Sequence, residues 1–128
     1  MTASNWLARR LATIRTSKQR SGDAAEERAL HYLQQQGLVL QQRSFLCKGG
    51  ELDLIMRDGK ALVFVEVRQR ADARFGGAIA SVTTAKQKRL VHAAQVYLQS
   101  LPSTPVCRFD LVAIEGDQLH WLKNIITS

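Results

Sequence analysis

Two short apolar runs of this chain each carry acidic residues where apolar ones would be expected. They are Gly50-Glu51-Leu52-Asp53-Leu54-Ile55 and Phe64-Val65-Glu66-Val67-Arg68. Carboxylate oxygens are hard ligands, and a pair on adjacent strands suits Mg²⁺ or Mn²⁺ held together with water and phosphate. Left without a cation, ionised carboxylates beside Ile55 and Phe64 lose solvation, and opposed like charges weaken a strand pair. A divalent ion removes both penalties; a raised carboxylate pKa or a partner arginine does so too. The alternative is that the hairpin end reaches solvent and leaves Glu51 and Glu66 as rim charges.

The two runs must be strands for this to work. Asp58-Gly59 between them is a strong hairpin signal. Taken as the two-residue turn, it sets Arg57 opposite Lys60, Ile55 opposite Leu62, Asp53 opposite Phe64 and Glu51 opposite Glu66. One face then carries Glu51, Asp53, Glu66 and Arg68 beside Ile55, Leu62 and Phe64. The other carries Leu52, Leu54, Met56, Val63, Val65 and Val67. Apolar side chains on both faces indicate a strand pair covered on two sides. A three-residue turn would reverse the register and break the cluster.

A third acid comes from a helix predicted over Asp23 to Gln36 and stopped by Gly37. At about 100° per residue, Ala25, Ala29, Tyr32, Leu33 and Leu30 span one broad face. Glu26 falls within that face, while Glu27 points away with His31 and Gln34. Two accounts of Glu26 stand open: a carboxylate facing a site, or the distal member of a capping box begun by Asp23.

The remaining elements supply cover and cations. Leu38 to Leu46 reads as an edge-like strand, Glu51 to Arg57 and Ala61 to Arg68 as the hairpin strands. Gln69 to Thr83 is a long connection with Arg70, Arg74 and Gly76-Gly77. Thr84 to Leu101 is a second helix, its start marked by a Thr84/Gln87 capping box and its apolar stripe formed by Leu90, Ala94, Tyr97, Leu98 and Leu101. Cys107 to Glu115 and Gln118 to Lys123 are two further strands. This order gives an α/β fold, a mixed sheet flanked by helices. Lys86, Lys88 and Arg89 gather in the first turns of the second helix, where a bound phosphate would meet both side chains and helix dipole.

Charge points the same way. The 128 residues carry 18 Lys and Arg against 11 Asp and Glu, a net charge of +7 that favours polyanions. Five of the cations (Arg9, Arg10, Arg15, Lys18 and Arg20) precede Ser21 with no acid among them. Setting those five aside leaves 13 basic residues against 11 acidic ones. The chain divides accordingly into a basic extension at 1–21 and a folded body at 22–128. In the extension Trp6, Leu7, Leu11 and Ile14 fit a short amphipathic helix, which keeps open a role at a membrane surface or partner. No stretch is long and apolar enough for a transmembrane segment. Cys47 and Cys107 show neither metal spacing nor a disulfide framework, the ordinary cytoplasmic pattern. His31, His92 and His120 lack zinc spacing, and Asp110 is read as serving the fold.

Gly22-Asp23-Ala24-Ala25-Glu26, Gly50 to Ile55, Phe64 to Arg68 and Arg108-Phe109-Asp110 resemble, in order and spacing, the YraN family of small bacterial proteins. The resemblance runs from Gly22 to the C-terminus. It implies a restriction-endonuclease-like fold similar to Holliday-junction resolvases, and a nucleic-acid-binding or nuclease function. It also implies a helix glutamate at Glu26, a strand aspartate at Asp53, and a Glu-x-Lys-like pair at Glu66 and Arg68. In such nucleases the carboxylates hold a divalent metal and the lysine helps orient or activate water. Arg68 departs from that pattern, because a guanidinium stays protonated and cannot serve as a base.

The expectation is therefore a cytoplasmic, Mg²⁺- or Mn²⁺-dependent endonuclease acting on DNA, with branched or structured DNA as the implied form. Glu26, Asp53 and Glu66 would be ligands. Arg68, Arg70, Arg74, Lys86, Lys88 and Arg89 would contact nucleic acid. The likeness to resolvases adds the expectation of a homodimer. The rival expectations are a non-catalytic nucleic-acid-binding module of the same fold, and an interaction protein working through the basic extension.

Overall fold

The computed structural model describes residues 17–70 and 77–126. Arg74 and the amphipathic run from Trp6 to Ile14 lie outside them. The first described helix, α1 (Ser17–Gln35), starts earlier than the sequence pattern suggests. Asp23 consequently lies inside the helix, and no capping box forms between it and Glu26. A helix already propagating through this point has no free N-terminal amides there to cap. Ala25, Ala29, Leu30 and Leu33 form its buried stripe. Gly37 ends it at φ 96, with Gly37 N donating to Gln34 O and Leu38 N to Leu33 O at 3.1 Å each.

Three strands follow: β1 (Val39–Cys47), β2 (Gly50–Asp58) and β3 (Ala61–Arg70). A short helix α2 (Gly77–Ala80) and a long one, α3 (Thr84–Gln99), lead to β4 (Cys107–Glu115) and β5 (Gln118–Leu122). They form one sheet in the order β1-β2-β3-β4-β5. Only the β3–β4 pair is parallel, with α2 and α3 in the crossover between those strands. The cap of α3 is Thr83 rather than Thr84, its side chain accepting from Lys86 N. This α/β architecture, a mixed five-stranded sheet flanked by helices, is compatible with a restriction-endonuclease-like fold.

Both sheet faces are buried, as the apolar pattern requires. Helix α1 packs on Leu54, Met56, Val63, Val65, Val112 and Ile114. Helix α3 packs on Leu52, Ile55, Leu62 and Phe64 through Leu90, Ala93, Ala94 and Tyr97. Across the sheet, fully buried Asp110 accepts from Arg108 Nε, Trp121 Nε1 and Asn124 N at 2.9–3.1 Å. Arg108 also reaches Asp58 at 3.0 Å, so this cluster ties β4, β5 and the central hairpin together.

The hairpin register differs from the expected one by two positions. Asp58 pairs with Ala61, Ile55 with Phe64 and Leu54 with Val65. The two-residue loop is therefore Gly59-Lys60, not Asp58-Gly59. Gly59 has φ 61 while Lys60 is not among the positive-φ residues. Left-handed geometry at the first central position alone is that of a type II′ turn, which takes glycine there. Because the change is two residues, the shift by itself leaves each side chain on its expected face. Continued one step, this register sets Asp53 across from Glu66, where Glu51 was expected.

The alternation itself fails at one place. Leu52 packs with Ile55 and Phe64 instead of with Leu54 and Met56. The β2–β3 ladder ends at Leu54↔Val65. On the other side of β2, Ser44 of β1 has φ 54 and interrupts the run between Arg43↔Leu54 and Phe45↔Leu52. Asp53 thus lies where β2 is released from β3, while its pairing with β1 resumes in the same register at Phe45↔Leu52.

Candidate functional site

That release determines what Asp53 does. Its Oδ2 accepts from Val67 N at 2.9 Å, a side chain taking the role a main-chain acceptor would have had in a continuing ladder. Strand β3 meanwhile presents Glu66 on the face covered by α3. Glu66 is only 4% exposed, one of two buried charged-type residues among those described, the other being Asp110.

Asp53 is the carboxylate neighbour that acts most strongly on Glu66. Burial, the Asp53 hydrogen bond and the Asp53 charge together push the Glu66 carboxyl from 4.5 up to about 9, while Lys86 and Arg68 pull it down. Lys86 Nζ, from the first turn of α3, lies 3.5 Å from Glu66 Oε2. That oxygen is nevertheless buried without a hydrogen bond, as is Arg68 Nε. Among the described residues the pocket therefore holds a buried acceptor and a buried donor, neither with a hydrogen-bond partner.

Glu26 approaches from α1. It is half-buried, and burial together with the charge of Asp53 raises its carboxyl to about 7; Asp23 and Glu51 add to the rise and Arg43 opposes it. Glu26, Asp53 and Glu66 thus share one electrostatic neighbourhood. They do not form a closed cage: among the described residues no three His, Cys, Asp or Glu side chains converge on a point that could hold a metal ion. The close unit is the Asp53–Glu66 pair, with Glu26 in an outer position.

Two neighbouring hard-oxygen carboxylates, one with a buried oxygen that accepts no hydrogen bond, are a donor set that fits Mg²⁺ or Mn²⁺. Such ions are commonly held by one or two carboxylates, with water and phosphate completing the shell.

The expected cations separate into groups. Arg68 and Lys86 belong to the pocket. Arg89 and Lys86 line an open cleft of about 460 Å³ together with Leu46, Cys47, Gly50 and Glu51. Lys88 lines a different groove, beside Thr84, His92 and Ile126. Arg70 is exposed, with its guanidinium on Gln69 O at 2.8 Å. Arg74 is outside the described residues.

Of the histidines, His92 Nε2 sits 2.9 Å from Lys48 O and fixes the β1–β2 turn to α3; His31 contacts Gln35 at the surface. Sequence reasoning missed the Lys86–Glu66 pairing and the close approach of β2 to α3. A Cβ on Gly50 would lie 2.5 Å from Arg89 O, so this strand start must be bare to let the helix in. The Gly49-Gly50 pair just before Glu51 was the available signal.

Comparison with known proteins gives a consistent assignment without an activity. The family described as "Uncharacterised protein family UPF0102" matches residues 25–114. The chain is 62% identical over 112 residues to a UPF0102 protein of Janthinobacterium sp. (strain Marseille), covering 88% of this chain and 91% of that one. It is 57% identical over 114 residues to a UPF0102 protein of Herminiimonas arsenicoxydans, covering 89% and 92%. A UPF0102 protein of Dechloromonas aromatica (strain RCB) is 52% identical over 107 residues, covering 84% and 88%.

Proposed function

The chain belongs to the uncharacterised protein family UPF0102, and from its pocket we propose a divalent-metal-dependent endonuclease that hydrolyses phosphodiester bonds in DNA. One observation carries the reading: an almost inaccessible Glu66 beside half-buried Asp53, with a buried Arg68 Nε that has no hydrogen-bond partner among the described residues and the Lys86 ammonium next to the carboxyl. A purely structural core offers little reason to bury one acid beside another. A site for a cation and a phosphate does.

Asp53 and Glu66 would hold Mg²⁺ or Mn²⁺, with Glu26 as the outer carboxylate. When bound, the ion supplies Lewis-acid polarisation of a phosphoryl oxygen. The chain's own residues do the rest. Arg68 Nε, without a hydrogen-bond partner among the described residues, would turn to a phosphate oxygen, and Lys86 adds a second positive charge on the same side. Hydrolysis needs an acceptor for the proton of the attacking water as the P–O bond breaks. Arg68 cannot be that acceptor, whereas a carboxyl poised at about 7, as in Glu26, can take up and release a proton at neutral pH. Asp53 is held in place by Val67 N, and so keeps its orientation while Glu66 changes protonation.

The test is cleavage of branched, single-stranded and duplex DNA by the full chain with Mg²⁺, Mn²⁺ or chelator. Metal-dependent cleavage lost in Asp53→Asn and Glu66→Gln supports the proposal; cleavage surviving both variants removes it.

A second reading has its own support. The raised carboxyl of Glu66, which favours its neutral form, and the arginine at position 68 suit a module of this fold that binds nucleic acid without cutting it. Salt-sensitive binding with no cleavage under any metal would select this reading.

A further inference from the structure

The open cleft beside the carboxylates has a mixed lining. Leu46, 70% exposed at the end of β1, and Cys47 form an apolar wall on the β1–β2 hairpin. Across from them, α3 contributes Lys86 and Arg89. Gly50 forms the floor and lets the strand lie against Arg89 O. Glu51 also lines the cleft and raises the Glu26 carboxyl through its charge, which puts it on the side toward the carboxylates. The hairpin wall is anchored, since His92 Nε2 contacts Lys48 O at 2.9 Å.

A volume of about 460 Å³ is of small-ligand size. It accepts a flat apolar ring with a charged group attached, and it is too small to take in a double helix. The apolar wall suits a nucleobase that is not paired, and the two cations suit the phosphate joined to it. The negative charge of Glu51 disfavours phosphate on its side and leaves the α3 side for it. Charge complementarity therefore selects the occupant and its orientation.

We infer that this cleft binds an unpaired nucleotide, its base against Leu46 and its phosphate on Lys86 and Arg89, so that the protein prefers single-stranded or unpaired segments over continuous duplex. The inference rests on reading the pocket as a nucleic-acid site and names the form of strand that enters it. Lys86 links the two regions, lying in the cleft and 3.5 Å from Glu66. The nucleotide in the cleft is thus the neighbour of the phosphate at the carboxylates.

Fluorescence anisotropy with labelled oligonucleotides in EDTA tests this without requiring cleavage. The full chain should bind a single strand, or a duplex with an unpaired overhang, about tenfold more tightly than the blunt duplex of the same sequence. Leu46→Asp should abolish that preference, whereas Leu46→Phe should keep or increase it. Both substitutions fall on an exposed side chain, and unchanged thermal melting verifies that they fold. Arg89→Glu should weaken binding to every DNA form. Equal affinity of the wild type for single strand and blunt duplex overturns the inference, as does an unchanged preference in Leu46→Asp. Failure to cleave with any metal while the preference persists removes the nuclease reading alone. Cleavage without the preference removes this inference alone.

Discussion

Replacing Glu66 by glutamine should stabilise the protein at neutral pH while removing its proposed activity. The Glu66 carboxyl has its folded pKa raised from 4.5 to about 9, chiefly by burial and by Asp53. A carboxyl shifted in that direction contributes its full stability below 4.5 and loses it as pH rises toward 9, because folding must take up a proton the unfolded chain does not hold. From 4.5 to pH 7.5 is three pH units at about 1.4 kcal/mol each, so the folded state is disfavoured by about 4 kcal/mol at most. Loss of the Lys86 pairing reduces the net gain, giving about 2–4 kcal/mol for Glu66→Gln at pH 7.5. Glutamine matches the protonated acid in size and stays neutral throughout. Urea denaturation at pH 4.5 and pH 7.5 provides the measurement: the variant and wild type should be nearly equal at the lower pH and diverge at the higher. Millimolar Mn²⁺ should narrow the difference by stabilising only the wild type. A wild type equally stable at both pH values, or a Glu66→Gln less stable than wild type at pH 7.5, would refute the reasoning.

Three further outcomes follow from the same geometry. With Glu26 as the proton acceptor, wild-type cleavage should fall below about pH 7 as its carboxyl protonates, and Glu26→Gln should lose that acid limb along with most of the rate in a pH–rate profile. Asp110→Ala strands Arg108, Trp121 Nε1 and Asn124 N; a loss of about 3–5 kcal/mol is expected by denaturant titration. Gly50→Val forces a side chain onto the main chain of α3 at Arg89, and should cost about 1–3 kcal/mol and displace Lys86 from Glu66. If its melting temperature and cleavage both match wild type, the close strand–helix approach is not what positions that lysine.

The five strands and two long helices were legible because each carries a local signal: alternating or continuous apolar runs for strands, a spaced stripe for α1 and α3, and glycine at Gly37 and Gly59. The four-residue helix α2 was not, because so short a segment inside Gln69 to Thr83, read as one long connection, shows no period. A register error of two residues conserves faces, but Leu52 departs from its expected side. The start of α1 was misplaced because Ser21-Gly22-Asp23 imitates a helix entry while the chain before it is already helical. The pairing of Asp53 with Glu66 depended on the handedness of the Gly59-Lys60 turn, which the dipeptide alone does not settle. Ser44 gave no warning at all: serine is not a residue that announces a left-handed backbone, and the missing pair beside it is a property of two strands together. Lys86 looked like one more member of a basic turn. Its contact with Glu66 spans a crossover of the chain, so no local spacing could reveal it.

The parallel joining of β3 to β4 has a consequence for how the acids are tolerated while the protein is being made. Glu26, Asp53 and Glu66 all emerge from the ribosome before α3 and β4 do. In that nascent half they remain hydrated, ionised and inexpensive. Their mutual repulsion grows serious only when the later segments close over them, and Lys86 arrives in the same event. Closure of the molecule is thereby coupled to uptake of the proton that the raised Glu66 carboxyl favours.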